Sequence, residues 1–213
     1  MTMSALFAEL ADIFAVDVVF ERHARTALKA AAHQQMSGQT SWDSVTIGHP
    51  ASLPDVLVNV MTAPDAHPVC LHLLQLQLDW SPPTTSNDPL FINHNQHTVH
   101  IELLGPRGLV YANHVRIGLY GMISDAAFRI RTHSAEEIYI MLAGSVWWKR
   151  GDYDFRQHNP GSRSHHPSMM PNANRTEERA FMSIYAWQGD ISTDDYVCDG
   201  LPLWSGHPAK NCC

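Results

Sequence analysis

A chain of 213 residues, 45% hydrophobic and 16% charged, has enough apolar side chains for one domain with a real core, with or without an appended segment. Its 21 Asp and Glu against 14 Lys and Arg leave a formal charge of −7, and with no Lys/Arg cluster this argues against non-specific nucleic-acid binding. An anionic surface of this kind suits a solution enzyme or a small-ligand binder.

The opening MTMSALFAELADIFAVDVVFERHAR carries Glu9 and Asp12 and lacks a basic start, so it makes a poor signal peptide. No apolar run reaches the length of a membrane span. Leu6, Leu10, Ile13, Phe14 and Val18 recur at threes and fours, and ARTALKAAAHQQM continues the pattern until GQTS breaks it; the spacing predicts helix over 2–34. ASLPDVLVNVMTA predicts a short helix with Pro54 at its first position. HPVCLHLLQLQLDW predicts another amphipathic helix, ended by the loop SPPTTSNDP. Residues 1–88 thus read as a helical segment packing on the C-terminal part of the chain.

From about residue 90 the period changes. HTVHIELLG alternates, LVYANHVRIGLYGM is rich in β-branched and aromatic residues, and AFRIRTH, EIYIML, SVWWKR, DYDFRQ and AFMSIYAWQG come next between Gly and Pro punctuation. Many short strands predict a β-sandwich or barrel over 89–213, with EIYIML and SVWW as a hairpin around AG. The His-rich 93–100 stretch, with His94, His97 and His100, reads as solvated or core rather than as a metal tract. Cys70, Cys198, Cys212 and Cys213 form no CxxC pair, which argues against thiolate zinc and for reduced thiols in a cytoplasmic protein. The terminal Cys212 and Cys213 read as incidental.

The chemistry concentrates in RTHSAEEIYIMLAGSVWWKRG, residues 131–151, which holds His133, Glu137 and Tyr139. On a helix, His133 and Glu137 would share one face. On a strand, positions four apart lie roughly 13 Å from each other. The two therefore meet only if Ser134, Ala135 and Glu136 turn the chain between two strands. Glu137 and Tyr139, two apart on one strand, point to the same face at roughly 7 Å. One imidazole, one carboxylate and one phenol converging inside a barrel suit Zn, Fe, Mn, Ni or Co. Taken singly, His133 with Glu137 also reads as a surface pair and Tyr139 as a core residue.

RTHSAEEIYIMLAG resembles the first motif of the cupin superfamily, HxH-x3-E-x6-G, with Arg131 where the first His stands, and NPGSRSHHPSMMPN resembles the second. More narrowly, GLYGM, AEEIY, HHPSMMPNANRT and AWQGDI resemble the dimethylsulfoniopropionate (DMSP) lyase branch of cupins, over roughly residues 100–193. The resemblance implies a mainly β fold, a cupin-type double-stranded β-helix (jelly-roll barrel) preceded by an α-helical N-terminal segment. It implies one divalent transition metal held by His133, Glu137 and Tyr139, with Tyr139 also the base. A second His ligand is expected where this chain reads Pro171-Asn172-Ala173-Asn174-Arg175-Thr176. Asn172 there offers a weak carbonyl ligand or marks a site that holds no metal. His166, in the HPS segment, is the substitute ligand, or with His165 a supporting or surface group. Phe128 replaces a Tyr lining the usual site.

The implied reaction is β-elimination of DMSP to dimethyl sulfide and acrylate, on a small sulfonium carboxylate. A metal on the carboxylate withdraws charge from the reacting carbon. A free Tyr has a pKa of about 10 and is a poor base until a cation favours its ionised form. Aromatic faces attract a desolvated sulfonium by ~2 kcal/mol, so Trp187 and Trp148 read as that wall or as core. Arg131 reads as a partner for a substrate carboxylate or as a solvated strand end. The alternative is a cupin with an incomplete metal site that binds or transforms another small carboxylate. No nucleic-acid or membrane partner is expected, and the chain is expected to be a monomer or homodimer.

Overall fold

The computed structural model describes residues 2–33 and 53–199. GQTS, Cys212 and Cys213 lie outside them. The helices are α1 (Met3–Ile13), α2 (Val19–His33), α3 (Asp55–Met61), α4 (Val69–Leu74) and α5 (Pro89–His94). The strands are β1 (Thr98–Gly105), β2 (Val110–Tyr111), β3 (Arg116–Met122), β4 (Ala127–Thr132), β5 (Glu136–Gly144), β6 (Val146–Arg150), β7 (Arg156–His158), β8 (Arg163–His166), β9 (Asn172–Arg175), β10 (Phe181–Gln188) and β11 (Val197–Cys198).

The continuous helix expected over 2–34 is two helices. Arg25 donates to the carbonyls of Ala11 and Phe14 at 2.9 and 3.1 Å, and Glu21 accepts from the Ala15 amide at 2.7 Å. These side chains satisfy backbone groups that a broken helix exposes. Pro54 caps α3 rather than occupying its first turn. The amphipathic helix expected to reach Trp80 ends at Leu74. Beyond it Leu76, Leu78 and Trp80 recur at every second residue, the period of extended chain, with Leu78 and Trp80 buried and Ser81 bridged to His100. The short α5, capped by Asp88 with Pro89 behind it, has no counterpart in the expectations.

Two sheets carry the remainder. One has the order β2-β1-β3-β10-β5-β8 and the other β11-β4-β9-β6-β7. They enclose an interior, which is the jelly-roll architecture expected. The hairpin expected from EIYIML and SVWW does not form, because β5 and β6 belong to different sheets. The chain passes between them at Gly144, whose φ of 71° favours glycine and where a Cβ would lie 1.8 Å from the Ala180 carbonyl oxygen.

In the six-stranded sheet, β3, β5 and β10 are buried almost throughout. One face, with Val99, Ile101, Ile117, Leu119, Ile138, Ile140, Leu142, Met182 and Ile184, joins Leu6, Phe7, Leu10, Leu28, Leu57 and Leu73 of the helices in one core. The alternate residues, Tyr120, Met122, Tyr139, Met141, Phe181, Tyr185 and Trp187, fill the space between the sheets with Phe128, Val146 and Trp148. A sheet covered on both faces reads as a continuous apolar run. Gly118, opposite Tyr185, leaves room for that ring: a Cβ there would come within 2.8 Å of it.

Candidate active site

Thr132 ends β4 and Glu136 begins β5, so His133, Ser134 and Ala135 turn the chain from one sheet to the other. That corner brings His133 Nε2 to 3.4 Å from Glu137 Oε2. Glu137 stands opposite His166 in the β5–β8 register, and His166 Nδ1 lies 3.5 Å from the same oxygen. The other carboxylate oxygen accepts from Trp187 Nε1, on β10 opposite Glu137. Trp187 stacks on His133 with ring centres 4.1 Å apart, fixing the imidazole plane.

His133, Glu137 and His166 are each at most 3% exposed. Nevertheless His133 Nε2, Glu137 Oε2 and His166 Nδ1 have no hydrogen-bond partner. Among the described residues no group of three His, Cys, Asp or Glu is arranged to hold a metal ion as it stands. The donor chemistry nonetheless fits one. Two imidazole nitrogens and a carboxylate oxygen suit a borderline divalent ion, and buried polar atoms left unbonded are costly unless something else binds them. Asn172 Oδ1 is a further buried, unbonded oxygen, on β9.

The electrostatics agree with that donor set. Burial would raise the Glu137 carboxyl, but the imidazoles of His133 and His166 outweigh it and hold the group well below the carboxylate range. Burial pushes His166 down to about 4, against the pull of Glu137, so its ring is neutral at pH 7. Ser164 Oγ, 2.8 Å from Nε2, orients that ring. Tyr139, buried on the same face of β5 as Glu137, is pushed well above the ordinary phenol value by burial and by Glu137, with Arg131 opposing.

Arg131 is not a solvated strand end. A bulge between Phe128 and Arg131 turns it inward, and it is 3% exposed. It donates to Asn174 Oδ1 at 3.0 Å and, at 3.5 Å, to the Tyr139 hydroxyl. Its guanidinium lies 4.7 Å from the Phe128 ring centre and 5.3 Å from that of Trp148. Burial alone would lower it, but Tyr139, Tyr196, Tyr120 and Glu137 raise it, so it stays charged. Asn174 in turn donates to Tyr120 at 3.3 Å.

An inner cavity of about 40 Å³ is lined by Phe128, Arg131, Glu137, Tyr139 and Trp187, among others. It shares Thr85, His100, Glu102 and Arg116 with an outer cavity of about 210 Å³. Trp148 is not in its wall; it sits behind Tyr139 at 4.5 Å and against His166 at 5.0 Å. His165 points away, to Glu136 at 2.7 Å. Sequence reasoning missed Tyr196, Tyr185, His100 and the partly buried Glu102–Arg116 pair, 2.7 Å apart. For Tyr185 and His100 the signal was alternation along their strands; Tyr196 lies in a turn and gave none.

Two solved structures share the fold. The first, described as crystal structures of the DMSP lyases RdDddP and RnDddQII, superposes with a TM-score of 0.62 over 93% of this chain and 96% of that one, at 15% identity. DMSP lyase DddQ from Ruegeria pomeroyi superposes with a TM-score of 0.61 over 92% and 95%, at 22% identity. The DddQ sequence from the same organism is 36% identical over 83 residues, 39% of this chain, and that alignment spans 38% of the relative. No helix among the described residues is long and apolar enough to cross a membrane. Residues 53–183, well over half of the chain, match the profile of the dimethylsulfoniopropionate lyase family, and the chain belongs to that family.

Proposed function

We propose that the chain is a metal-dependent carbon–sulfur lyase that cleaves DMSP to dimethyl sulfide and acrylate. The observation that carries this reading is the trio of buried, unbonded atoms His133 Nε2, Glu137 Oε2 and His166 Nδ1, gathered around Glu137, which lines the inner cavity of a DMSP lyase family member. His133, Glu137 and His166 are the residues that would hold a divalent transition metal, with Asn172 as a weak fourth donor. When bound, the ion supplies positive charge that stabilises the carboxylate's developing enolate character and eases ionisation of a neighbouring phenol.

The rest falls to the chain. Tyr139 takes the proton from the carbon next to the carboxylate. The electrons of that C–H bond form the C=C bond, and the C–S pair leaves with dimethyl sulfide. Its buried phenol is too weakly acidic to act unaided, and Arg131 at 3.5 Å supports the ionised form. Trp187 donates to one oxygen of Glu137, so the carboxylate keeps one orientation through the reaction. The rings of Phe91, Phe128, Tyr196 and Trp187 line the cavity and exclude water from the reacting carbon.

Headspace dimethyl sulfide after mixing metal-loaded protein with DMSP tests the reading. Product is expected above a metal-only blank, and none across Mn, Fe, Co, Ni and Zn sinks it. Tyr139→Phe should abolish product; full activity would remove the base assignment. Asn172 favours a second reading, a cupin with an incomplete site acting on another small carboxylate. Under that reading the protein binds metal weakly, and Asn172→His tightens it without creating DMSP cleavage.

A further inference from the structure

We propose that Arg131 is the anchor for a carboxylate in the inner cavity, so that a ligand enters acid end first and leaves its bulk in the outer one. The proposal rests on the small-carboxylate reading above, but it concerns binding and stands or falls without turnover.

Among the described residues two arginines are buried in this interior, and they differ. Arg116, 8% exposed, has a carboxylate of its own, Glu102 at 2.7 Å, and also donates to the Ile191 carbonyl at 2.9 Å. Arg131, 3% exposed, has no carboxylate in ion-pair contact among the described residues: its hydrogen bonds go to the neutral Asn174 and Tyr139. Glu137, in the same wall, accepts from Trp187 and has His133 and His166 at 3.4 and 3.5 Å. A buried guanidinium without a partner anion is a standing demand for one.

The guanidinium is also held in place. The Phe128 and Trp148 rings sit against it, Asn174 takes Nη1 at 3.0 Å, and Tyr120 holds Asn174 at 3.3 Å. A planar fork fixed this way needs little ordering to accept a carboxylate. Size gives the direction. The inner cavity, about 40 Å³, holds a carboxylate-sized group, and the outer, about 210 Å³, takes the remainder.

Titration of the metal-free chain with acrylate and with neutral acrylamide, followed by calorimetry, tests this. Acrylate should bind at least about tenfold tighter than acrylamide. Arg131→Gln should erase that preference, and Arg131→Lys, which keeps the charge but loses the fork, should retain part of it. Equal binding of the two probes by the parent, including no binding of either, overturns the anchor. So does an Arg131→Gln variant that still prefers acrylate, the result expected if Arg131 only balances Glu137. If Arg131→Gln does not fold, the parent comparison and the Lys variant decide. Absence of dimethyl sulfide in the lyase assay leaves each of these outcomes readable.

Discussion

The two sheets divide the candidate site unevenly. The six-stranded sheet supplies Glu137, Tyr139, His166 and Trp187, all of which keep the residues that the family resemblance leads one to expect. The five-stranded sheet supplies Phe128, Arg131 and Asn172, the three positions where this chain departs from that pattern. The packing differs in the same sense. The six-stranded sheet is sealed by helices on one face and by the interior on the other, whereas in the five-stranded sheet β4 and β6 mix buried with half-buried residues, and β9 is buried except at Arg175. A strand packed on both faces tolerates little change of volume, while a wall packed on one side can exchange a side chain and relax outward. On the proposed function, the six-stranded wall carries the chemistry and the five-stranded wall adjusts what is bound.

The largest effect expected from this division is at Glu137. Glu137→Gln keeps the shape and the contact with Trp187 but removes the charge between His133 and His166. Dimethyl sulfide formation should fall by roughly a thousandfold, about 4 kcal/mol in barrier, together with bound metal measured by elemental analysis. A variant keeping more than a tenth of its rate would break the assignment of chemistry to the six-stranded wall.

Gly144 marks where the chain leaves that wall for the other. Gly144→Ala puts a Cβ 1.8 Å from the Ala180 carbonyl oxygen at a φ of 71°, so the β5–β6 crossing or the start of β10 must shift. The expected loss is on the order of 3 kcal/mol in chemical denaturation. A change below about 0.5 kcal/mol would mean the two sheets are not locked together at this corner.

The same contrast decides how much of the molecule was legible in its sequence. The corner from Arg131 to Tyr139 is contiguous, so a turn between His133 and Glu137 was readable from their spacing, and it is there one residue earlier than expected, at His133–Ala135, with Glu136 already in β5. The change from helix to strand near residue 90 was readable from periodicity, because the strand side chains alternate between two cores. LQLQLDW was misread as helix because its period of two was outweighed by the amphipathic stretch before it. The β5–β6 crossing looks like a hairpin because a Gly-centred turn has the same composition whether the chain returns to its own sheet or leaves it. His166 could be ranked against Asn172 only through pairing: opposition to Glu137 across β5 and β8 depends on long-range register, which local sequence does not encode.

That register sharpens the comparison at the second motif. His166, on the six-stranded sheet, is within 3.5 Å of Glu137, whereas Asn172, on the five-stranded sheet, offers one buried amide oxygen. His166→Ala should weaken metal binding by at least about tenfold and up to about a hundredfold, and Asn172→Ala by less than about threefold, in competition with a chelating dye. The reverse order would move the second His-type ligand position back to β9 and make the site genuinely incomplete.

The smallest effect probes how firmly the six-stranded wall keeps its inward groups neutral. His100, on β1, shares a hydrogen bond of 2.7 Å with the Tyr185 hydroxyl and is pushed down to about 4 by burial and, secondarily, by Arg116. The unfolded chain therefore takes up a proton near pH 6.5 that the folded chain refuses until about 4. The stability linked to His100 is complete above about pH 6.5, is lost as the pH falls toward 4, and changes no further below that. Because the ring is only partly shielded from solvent, this amounts to about 1–2 kcal/mol. His100→Gln keeps a hydrogen-bonding group toward Tyr185 but cannot titrate. In urea denaturation of metal-free protein, its stability should fall less than the parent's between pH 6.5 and 5, a window above most carboxylate titrations. Parallel curves would show that His100 is protonated as readily in the fold as out of it, and that the inner face of the six-stranded sheet is wetter than its packing implies.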